Sequence, residues 1–460
     1  MKLTVTNPYD QSNVITLATE SDTSVNDKIT CGQNAFKPWS NTPIQDRVHA
    51  VRTCVAYFSQ HKTQIALDIT QQMGKPITEA LNEVDGLLSR AYYLCDIAES
   101  SLAATVLPEQ AGLHRRIEHV PLGTVLNIAA WNYPLLIAVN VVVPALLCGN
   151  NVLLKHSAKT PLCGQHFERA FATLPIPNLV LHLLIDHTQT QQLIKHTRIQ
   201  YVAFTGSVSG GRSLYQAVGQ HRFIDIGLEL GGNDPAYIAA DADLAFTIPN
   251  IVDGACYNAG QSCCAIERVY VHAKVYDEVI DRLKTQHKIP CMGDPQKPDT
   301  TLGPLASQQG MAAVDQHVQG AIQSGASLLS TATTLPDKGF FYPPTLLVNV
   351  PQTCDIMQTE TFGPVIPVHK VETDEQAIHC MNDSPFGLTA SLWTTQRDRA
   401  EALSTQINAG TIYQNRCDFL DPGLPWSGVG DSGKGSTLSA YGFWHLSRRK
   451  SLHFRQTKQT

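Results

Sequence analysis

Short apolar segments alternate with helical patterns between residues 123 and 228, and this alternation constrains the fold more than any other feature. The apolar segments predict buried strands, at Gly123–Ala130, Val152–Lys155, Val180–Leu184, Tyr201–Thr205 and Phe223–Leu228. Segments with helical apolar spacing separate them, at Leu135–Leu147, Cys163–Thr173, Thr190–His196 and Gly210–Val218. Because a helix between two strands returns the chain to the same end of the sheet, the pattern predicts parallel strands with helices on both faces. A similar alternation after Gly232 predicts a second α/β domain.

The length and charge of the chain limit the classes of protein to which it can belong. Its 460 residues are too many for one ordinary core and suit two or three domains. A composition of 43% hydrophobic and 16% charged residues is typical of a soluble globular protein. The formal net charge is −6 and the sequence has no long basic run, so we expect no nucleic-acid partner.

One apolar stretch, Leu122–Cys148, is long enough to suggest a transmembrane helix. It is interrupted by Asn132, Pro134, Asn140 and Pro144, so we predict a buried strand, a loop and a buried helix instead, and no membrane partner. Twelve cysteines are too few for a disulfide scaffold in a chain of this length, and we expect no signal peptide before them. A reducing, cytoplasmic location is therefore expected.

The candidate chemistry rests on Cys263, Glu229 and Asn132. Cys263 lies in GQSCCA at 260–265, thirty-four residues after Glu229 in LELGG at 228–232, and Asn132 lies in WNYP at 131–134. A cysteine can act as a nucleophile, a glutamate as a general base, and an asparagine amide as a donor to an oxyanion. Each residue also has a plainer interpretation, as a core thiol, a structural glutamate at a strand end, and an Asx-turn asparagine before proline.

Five further motifs accompany these residues, namely GNNVLLK at 149–155, FTGS at 204–207, ETFGP at 360–364, LPWSG at 424–428 and SGKG at 432–435. In this order and spacing, the chain closely resembles the aldehyde dehydrogenase superfamily over nearly its whole length. The resemblance implies an α/β fold with two Rossmann-like domains and a small β oligomerisation flap. We assign residues 1–101 and 122–230 to a cofactor-binding domain, 231–446 to a catalytic domain, and 102–121 with 447–460 to the oligomerisation strands.

The expectation of an oligomerisation flap rests on two polar, strand-like segments outside both domains. Gly112–Val120 and Lys450–Gln456 alternate as edge strands do, and each could simply be a solvated edge. The resemblance implies that they pair with a neighbouring subunit, which satisfies their free N–H and C=O groups. We therefore expect a homodimer or homotetramer.

The resemblance also implies a reaction, the oxidation of an aldehyde to a carboxylic acid with NAD or NADP. Cys263 would form the thiohemiacetal and thioester, and it is preferred over Cys264 because the family thiol follows the glutamine by two residues. Glu229 would activate the water that releases the acid, and Asn132 would hold the oxyanion with the backbone N–H of Cys263. The alternatives are an acylating dehydrogenase that transfers the product to coenzyme A, and a non-catalytic scaffold that retains the fold. Glu229 argues against the acylating enzyme, which needs no base to activate water. The presence of Cys263, Glu229 and Asn132 together argues against the non-catalytic scaffold.

The residues that would contact the cofactor follow from the same resemblance and are Trp131, Lys155, Ala158, Thr205, Gly206, Ser207, Leu230, Glu360 and Phe362. Lys155 would hold the adenosine ribose and Glu360 the nicotinamide ribose. Ala158 stands where many NAD-using relatives carry glutamate, so we expect NAD to work and NADP to be tolerated. The 17 histidines show no metal-ligand spacing, and we expect no metal.

The substrate pocket implied by the resemblance contains Tyr133, Asn140, Leu420 and Trp426. Tyr133 and Trp426 predict an aromatic entrance. The sequence shows no obvious partner for a substrate carboxylate, which favours an uncharged or apolar aldehyde.

Overall fold

The computed structural model describes residues 2–331 and 335–456. Its strands, numbered along the chain, are β1 (Lys2–Thr6), β2 (Asn13–Ala18), β3 (Thr105–Val106), β4 (Leu113–Pro121), β5 (Thr124–Ala129), β6 (Asn151–His156), β7 (Val180–His182), β8 (Ile199–Thr205), β9 (Asp225–Glu229), β10 (Asp234–Ile238), β11 (Ile266–His272), β12 (Ser327–Thr331), β13 (Thr345–Val348), β14 (Val365–Val371), β15 (Phe386–Gly387), β16 (Thr389–Trp393), β17 (Thr411–Gln414), β18 (Val429–Gly430), β19 (Gly433–Lys434) and β20 (Ser447–Arg455). Its helices are α1 (Asp22–Ser40), α2 (Ile44–Gln60), α3 (Lys62–Met73), α4 (Ile77–Ser101), α5 (Pro134–Leu147), α6 (Pro161–Phe171), α7 (His187–Leu193), α8 (Val208–His221), α9 (Leu244–Cys256), α10 (Tyr276–Gln286), α11 (Gln308–Gln323), α12 (Asp374–Asn382), α13 (Arg397–Ser404) and α14 (Ser439–His445).

The first large sheet has the strand order β19-β9-β8-β5-β6-β7. Strands β5 to β9 are mutually parallel, and β19 pairs antiparallel with β9. The predicted parallel sheet is thus present, although its last strand begins at Asp225, where pairing with β8 starts, and the side chain of Phe223 before it is fully exposed. The chain order reverses between β5 and β8, and ligands of such sheets bind in the crevice beyond the carboxyl ends of the strands at this point.

The second large sheet has the order β12-β13-β14-β11-β10-β16-β17 and carries the loop with Cys263. Its strands are parallel except for β12, which pairs antiparallel with β13. The loop joins α9 to β11, and so Cys263 is anchored by a helix and by a strand from the interior of the sheet. The prediction of a second α/β unit is confirmed.

The apolar stretch at 122–148 forms a strand, a turn and a buried helix, as predicted. Thirteen of the 14 residues of α5 are buried, because the helix packs between β5, β6 and the helices α2 and α4. Each fully buried large aliphatic side chain stabilises the fold by about 1.5–3 kcal/mol. In residues 2–331 and 335–456, no helix has the length and apolar character needed to cross a membrane.

A separate antiparallel sheet combines β3, β4 and β20. Strands β4 and β20 pair over nine residue pairs, from Leu113 with Arg455 to Pro121 with Ser447. The two polar segments are therefore strands, and within the chain they are each other's partners. The domain boundaries and the pairing with another subunit stay predictions, and residues 457–460 lie outside the described chain.

Deletion of the chain from Lys450 onward is expected to give monomers or insoluble protein, whereas the intact chain is expected to form dimers or tetramers. The deletion removes most of β20 and leaves one edge of β4 without its partner. Light scattering at micromolar concentration measures the mass, and a chain that ends at Gln456 is the control because it keeps all of β20. A fully active monomer of the intact chain would contradict the prediction.

Candidate active site

A cavity of about 330 Å³ lies between the two large sheets and contains the predicted thiol and the predicted base. Cys263 and Glu229 both line it, together with Thr205. The structure also brings all four predicted pocket residues to this cavity, namely Tyr133, Asn140, Leu420 and Trp426. Residues far apart in sequence thus meet at one site.

The loop that carries Cys263 begins with an unusual backbone. Asn258 and Ala259 have φ angles of 52° and 55°, and Gly260 has a φ of 71°. Residues other than glycine rarely adopt this left-handed conformation, and such strain is found where the surroundings compensate for it. The conformation turns the chain from α9 back towards the cavity, so that Cys263 is half-buried in the cavity wall.

Hydrogen bonds hold this strained turn. The Asn258 Nδ2 donates to the carbonyl oxygens of Gln261 and Asn132, each at 3.1 Å, and the Asn258 backbone N–H donates to Glu79 at 3.0 Å. A Cβ atom at Gly260 would lie 2.4 Å from the backbone of Gly363, so glycine is required there. Sequence reasoning missed Asn258 and Glu79, because an asparagine before Ala-Gly is a common turn residue.

The neighbouring thiol of Cys264 is already used as a donor. It is 2% exposed and donates to Oδ1 of Asp418 at 3.0 Å. The contact with Cys263, together with burial and the nearby Asp418 carboxylate, raises the pKa of Cys264 well above its usual value. Cys264 is therefore a poor source of thiolate.

The Asn132 side chain is joined to the thiol loop. Its Nδ2 donates to the carbonyl oxygen of Gln261 at 3.2 Å, two residues before Cys263. The Asn132 carbonyl oxygen in turn accepts a hydrogen bond from Nζ of Lys75 at 2.8 Å. The amide is thus fixed from both its side chain and its backbone.

A fully buried ion pair supports the turn that contains Asn132. Lys75 Nζ lies 2.5 Å from Glu83 Oε2 and 3.9 Å from the centre of the Tyr133 ring. The other oxygen of Glu83 accepts from the backbone N–H of Leu135 at 2.8 Å, in the first turn of α5. Breaking a buried pair by removing one partner typically costs about 3–5 kcal/mol. Lys75 and Glu83 were not found from the sequence, since no local pattern links them to residues more than fifty positions away.

The Glu229 carboxylate, at the end of β9, is held by two threonines. Thr205 Oγ1 donates to Oε2 at 3.1 Å, and the Thr437 hydroxyl donates to Oε1. Burial raises the pKa of Glu229, while the hydrogen bonds from Thr437 and Thr205 oppose that shift. Thr205 was predicted as a cofactor contact, and its hydroxyl is bound to Glu229 because the two residues are partners in adjacent parallel strands.

Several predicted cofactor residues surround the crevice at the carboxyl ends of β5, β6 and β8. Trp131 follows β5, and its ring contacts that of Phe362 edge-on at 5.7 Å between centroids. Ser207 is the N-cap of α8, where its Oγ accepts from the Gly210 N–H at 3.2 Å. The Gly206 N–H donates to the carbonyl oxygen of Glu229 at 3.1 Å, which fixes this turn to the strand that ends in the base.

The remaining cofactor candidates differ in exposure. Lys155 is buried in β6, burial lowers its pKa, and its ammonium has no hydrogen-bond partner in the described part of the chain. Ala158 is exposed, three residues further on. Leu230 is buried and packs in the core of the first sheet. A lysine with a buried stem and a free ammonium at this edge fits a ligand that brings hydrogen-bond acceptors.

Glu360 lies against the turn that follows Glu229. Its Oε1 accepts from the Gly232 N–H at 3.1 Å, and a Cβ atom at Gly231 would lie 2.4 Å from its Oε2. Burial raises the pKa of Glu360 to about 7. Close approach of this carboxylate therefore requires glycine at position 231.

Glu267 holds the segment that follows Glu360. Its two oxygens accept from the backbone N–H groups of Thr361 and Phe362 at 2.8 and 2.7 Å, and Phe362 has a φ of 57°. Glu267 was not found from the sequence, because it lies ninety-four positions from its nearer partner and no local motif marks it. Among the described residues, no group of three or more His, Cys, Asp or Glu side chains could hold a metal ion.

The family model of the aldehyde dehydrogenase family matches residues 1–452. The chain belongs to the aldehyde dehydrogenase family. The predictions of this family, of its α/β fold and of an NAD(P)-dependent aldehyde dehydrogenase are thereby confirmed.

Relatives within the family are similar along nearly their whole length. The succinate-semialdehyde dehydrogenase [NADP(+)] of Deinococcus radiodurans is 32% identical over 454 residues, which cover 98% of this chain and 95% of the relative. The probable succinate-semialdehyde dehydrogenase [NADP(+)] of a Synechocystis strain is 33% identical over 98% of this chain and 99% of its own. The solved structure of succinic semialdehyde dehydrogenase from Streptococcus pyogenes, in complex with NADP+, has a TM-score of 0.94 at 29% identity and covers 99% of this chain and all of its own.

Proposed function

We propose that this aldehyde dehydrogenase oxidises its substrate to a carboxylic acid through a thioester on Cys263, with NADP or NAD as the acceptor. The observation that carries the proposal is the placement of Cys263 and Glu229 in the wall of one cavity, with the Asn132 side chain bound to the thiol loop. A nucleophile, a base and an oxyanion donor on rigid elements are what acyl-transfer chemistry requires.

Cys263 carries the covalent step. Its thiolate adds to the aldehyde carbon, and the resulting thiohemiacetal oxyanion is held by the backbone N–H of Cys263 and by an N–H of the Asn132 amide. Asn132 has two amide hydrogens, and the bond to Gln261 uses one of them. When bound, the nicotinamide supplies the hydride acceptor, which leaves the acyl group on Cys263 as a thioester.

Glu229 serves the second half of the reaction. Its carboxylate accepts a proton from a water molecule, whose oxygen attacks the thioester carbon, and the Cys263 thiolate leaves as the acid forms. The Glu229 carboxylate is held by the hydroxyls of Thr205 and Thr437, one on each oxygen, and burial raises its pKa towards neutrality. A base of this kind is unnecessary when coenzyme A takes the acyl group.

We assign the cofactor to the crevice at the carboxyl ends of β5, β6 and β8. Ser207 at the start of α8 would hold the diphosphate, since a helix N-terminus favours an anion. The ammonium of Lys155 would donate to the adenosine ribose, and Glu360 would accept from the nicotinamide ribose. Trp131 and Phe362 would form the walls of the crevice between the two ribose sites.

The two relatives, both named succinate-semialdehyde dehydrogenases, suggest the substrate class, a short aldehyde that carries a carboxylate at its far end. This replaces the uncharged aldehyde favoured by Tyr133 and Trp426 alone. A panel of aldehydes that varies chain length and terminal charge, followed by the absorbance of reduced cofactor with and without coenzyme A, tests the proposal. A strict need for coenzyme A would identify an acylating enzyme, and no reduction with any aldehyde would favour a scaffold.

The choice between NAD and NADP is expected to be weak and to depend on Ala158. A carboxylate at this position bonds the ribose 2′-hydroxyl and repels a 2′-phosphate, and alanine does neither. We expect kcat/KM values for NAD and NADP within about a hundredfold of each other, or ~2.7 kcal/mol, and a shift towards NAD in Ala158→Glu. Both values are measured with one good aldehyde, in both proteins. No shift in the variant, or a discrimination of more than ~10⁴ against NADP in the parent, would show that another group reads the ribose.

A further inference from the structure

We propose that Arg90 binds the carboxylate at the far end of the aldehyde and so selects the substrate; this inference rests on the proposed function. Arg90 lies on α4 and lines the same cavity as Cys263 and Glu229, and it is 8% exposed. Arg90 therefore brings a positive charge into the space that the substrate enters, in the same cavity as the reacting residues.

The hydrogen bonds of Arg90 leave most of its guanidinium unused. Its Nη1 donates to Oδ1 of Asn140 at 3.3 Å and to the carbonyl oxygen of Leu136 at 3.4 Å, and both acceptors are neutral. A guanidinium has five N–H donors, and none of the ion pairs among the described residues, which join atoms within 4.0 Å, includes Arg90. Burial lowers the pKa of Arg90, and the charges of Glu229 and Glu83 oppose that shift without contacting the guanidinium. A substrate carboxylate would supply a partner in direct contact and accept two parallel hydrogen bonds.

None of the acidic residues that line the cavity forms an ion pair with Arg90. Glu229, whose charge acts most on Arg90, has its two oxygens bound by the hydroxyls of Thr205 and Thr437. Glu83 is paired with Lys75, and Asp418 accepts hydrogen bonds from Ser262 and Cys264. Burial raises the pKa of Glu79 to about 8, so that it is largely protonated at neutral pH. Asp253 also lines the cavity, and burial raises its pKa as well. Arg90 is thus the cavity residue best suited to an anion, while Asn140 and Leu136 orient its plane.

The test compares succinate semialdehyde with butanal, an uncharged aldehyde of the same number of carbons, at saturating NADP. In Arg90→Met the ratio of kcat/KM for succinate semialdehyde to that for butanal is expected to fall by about 10- to 100-fold, chiefly through KM, because a hydrogen-bonded charge pair is lost. Arg90→Gln, which retains a polar group that can contact Asn140, is expected to show the same loss should Arg90→Met fail to fold. Ser89→Ala, a neutral change at the neighbouring position on the cavity wall, is the matched control.

The use of two aldehydes separates this inference from the proposed function. Arg90 also lowers the pKa of Glu229, but that effect would reduce turnover of both aldehydes equally and leave their ratio unchanged. An unchanged ratio in a folded Arg90 variant would overturn the role of Arg90 while the reaction stands. A parent enzyme that prefers butanal to succinate semialdehyde would also overturn the role of Arg90. A parent enzyme that oxidises neither aldehyde nor any other would overturn the proposed reaction itself.

Discussion

Replacement of Cys263 by alanine is expected to lower aldehyde oxidation by on the order of 10⁴-fold or more, because the thiol carries the covalent step. Binding of the cofactor should be unchanged, since the crevice proposed for it, at the ends of β5, β6 and β8, does not include the thiol. Steady-state reduction of NADP measures the activity, and quenching of tryptophan fluorescence measures the binding.

The neighbouring cysteine provides the matched control. Cys264→Ser keeps a donor for Asp418, and Cys264→Ala leaves Asp418 the hydroxyl of Ser262 at 2.8 Å. Both variants should keep at least about a tenth of the activity, a barrier change of ~1.4 kcal/mol or less. An inactive Cys264 variant beside an active Cys263→Ala would show that the nucleophile is one residue further on.

Replacement of Glu229 by glutamine is expected to slow the hydrolysis of the thioester by about 10²–10⁴-fold, the usual contribution of a general base, and to leave its formation largely intact. A stopped-flow trace should show a burst of reduced cofactor close to one per active site, followed by a very slow steady state. In the parent, steady-state turnover limited by hydrolysis should rise with pH through the raised pKa of Glu229, because only the carboxylate accepts the proton. The variant should lack this rise.

The thermal stability of Glu229→Gln provides a control, because it shows whether the variant is folded. Because burial raises the pKa of Glu229 in the folded state, the neutral form is favoured by folding, and stability from this group is lost as the pH rises through the folded pKa. A neutral glutamine should therefore not lower Tm at neutral pH. Loss of both the burst and the turnover in a folded Glu229→Gln protein would mean that Glu229 is structural or activates Cys263.

Local patterns in the sequence were enough to predict many of the strands and helices and the three central residues of the candidate site. The alternation of strands and helices from 123 to 228 is visible because apolar spacing is a local property, and the observed strands β5 to β9 differ from it only at their ends. The motifs that contain Cys263, Glu229 and Asn132 are equally local, and they were enough to identify the family. The sequence also indicated that Gly112–Val120 and Lys450–Gln456 are strands, because their alternation does not depend on which strand they pair with.

The tertiary structure alone decided which side chains support and tune the site. Lys75 meets the Asn132 carbonyl across fifty-seven positions, and Thr437 meets Glu229 across more than two hundred. In the sequence, nothing distinguishes Arg90 from the other charged residues of an amphipathic helix. The packing of α4 against α5 places its side chain in the wall of the cavity. Such contacts depend on where whole sheets and helices meet, and a buried charge is revealed only when the elements around it exclude water.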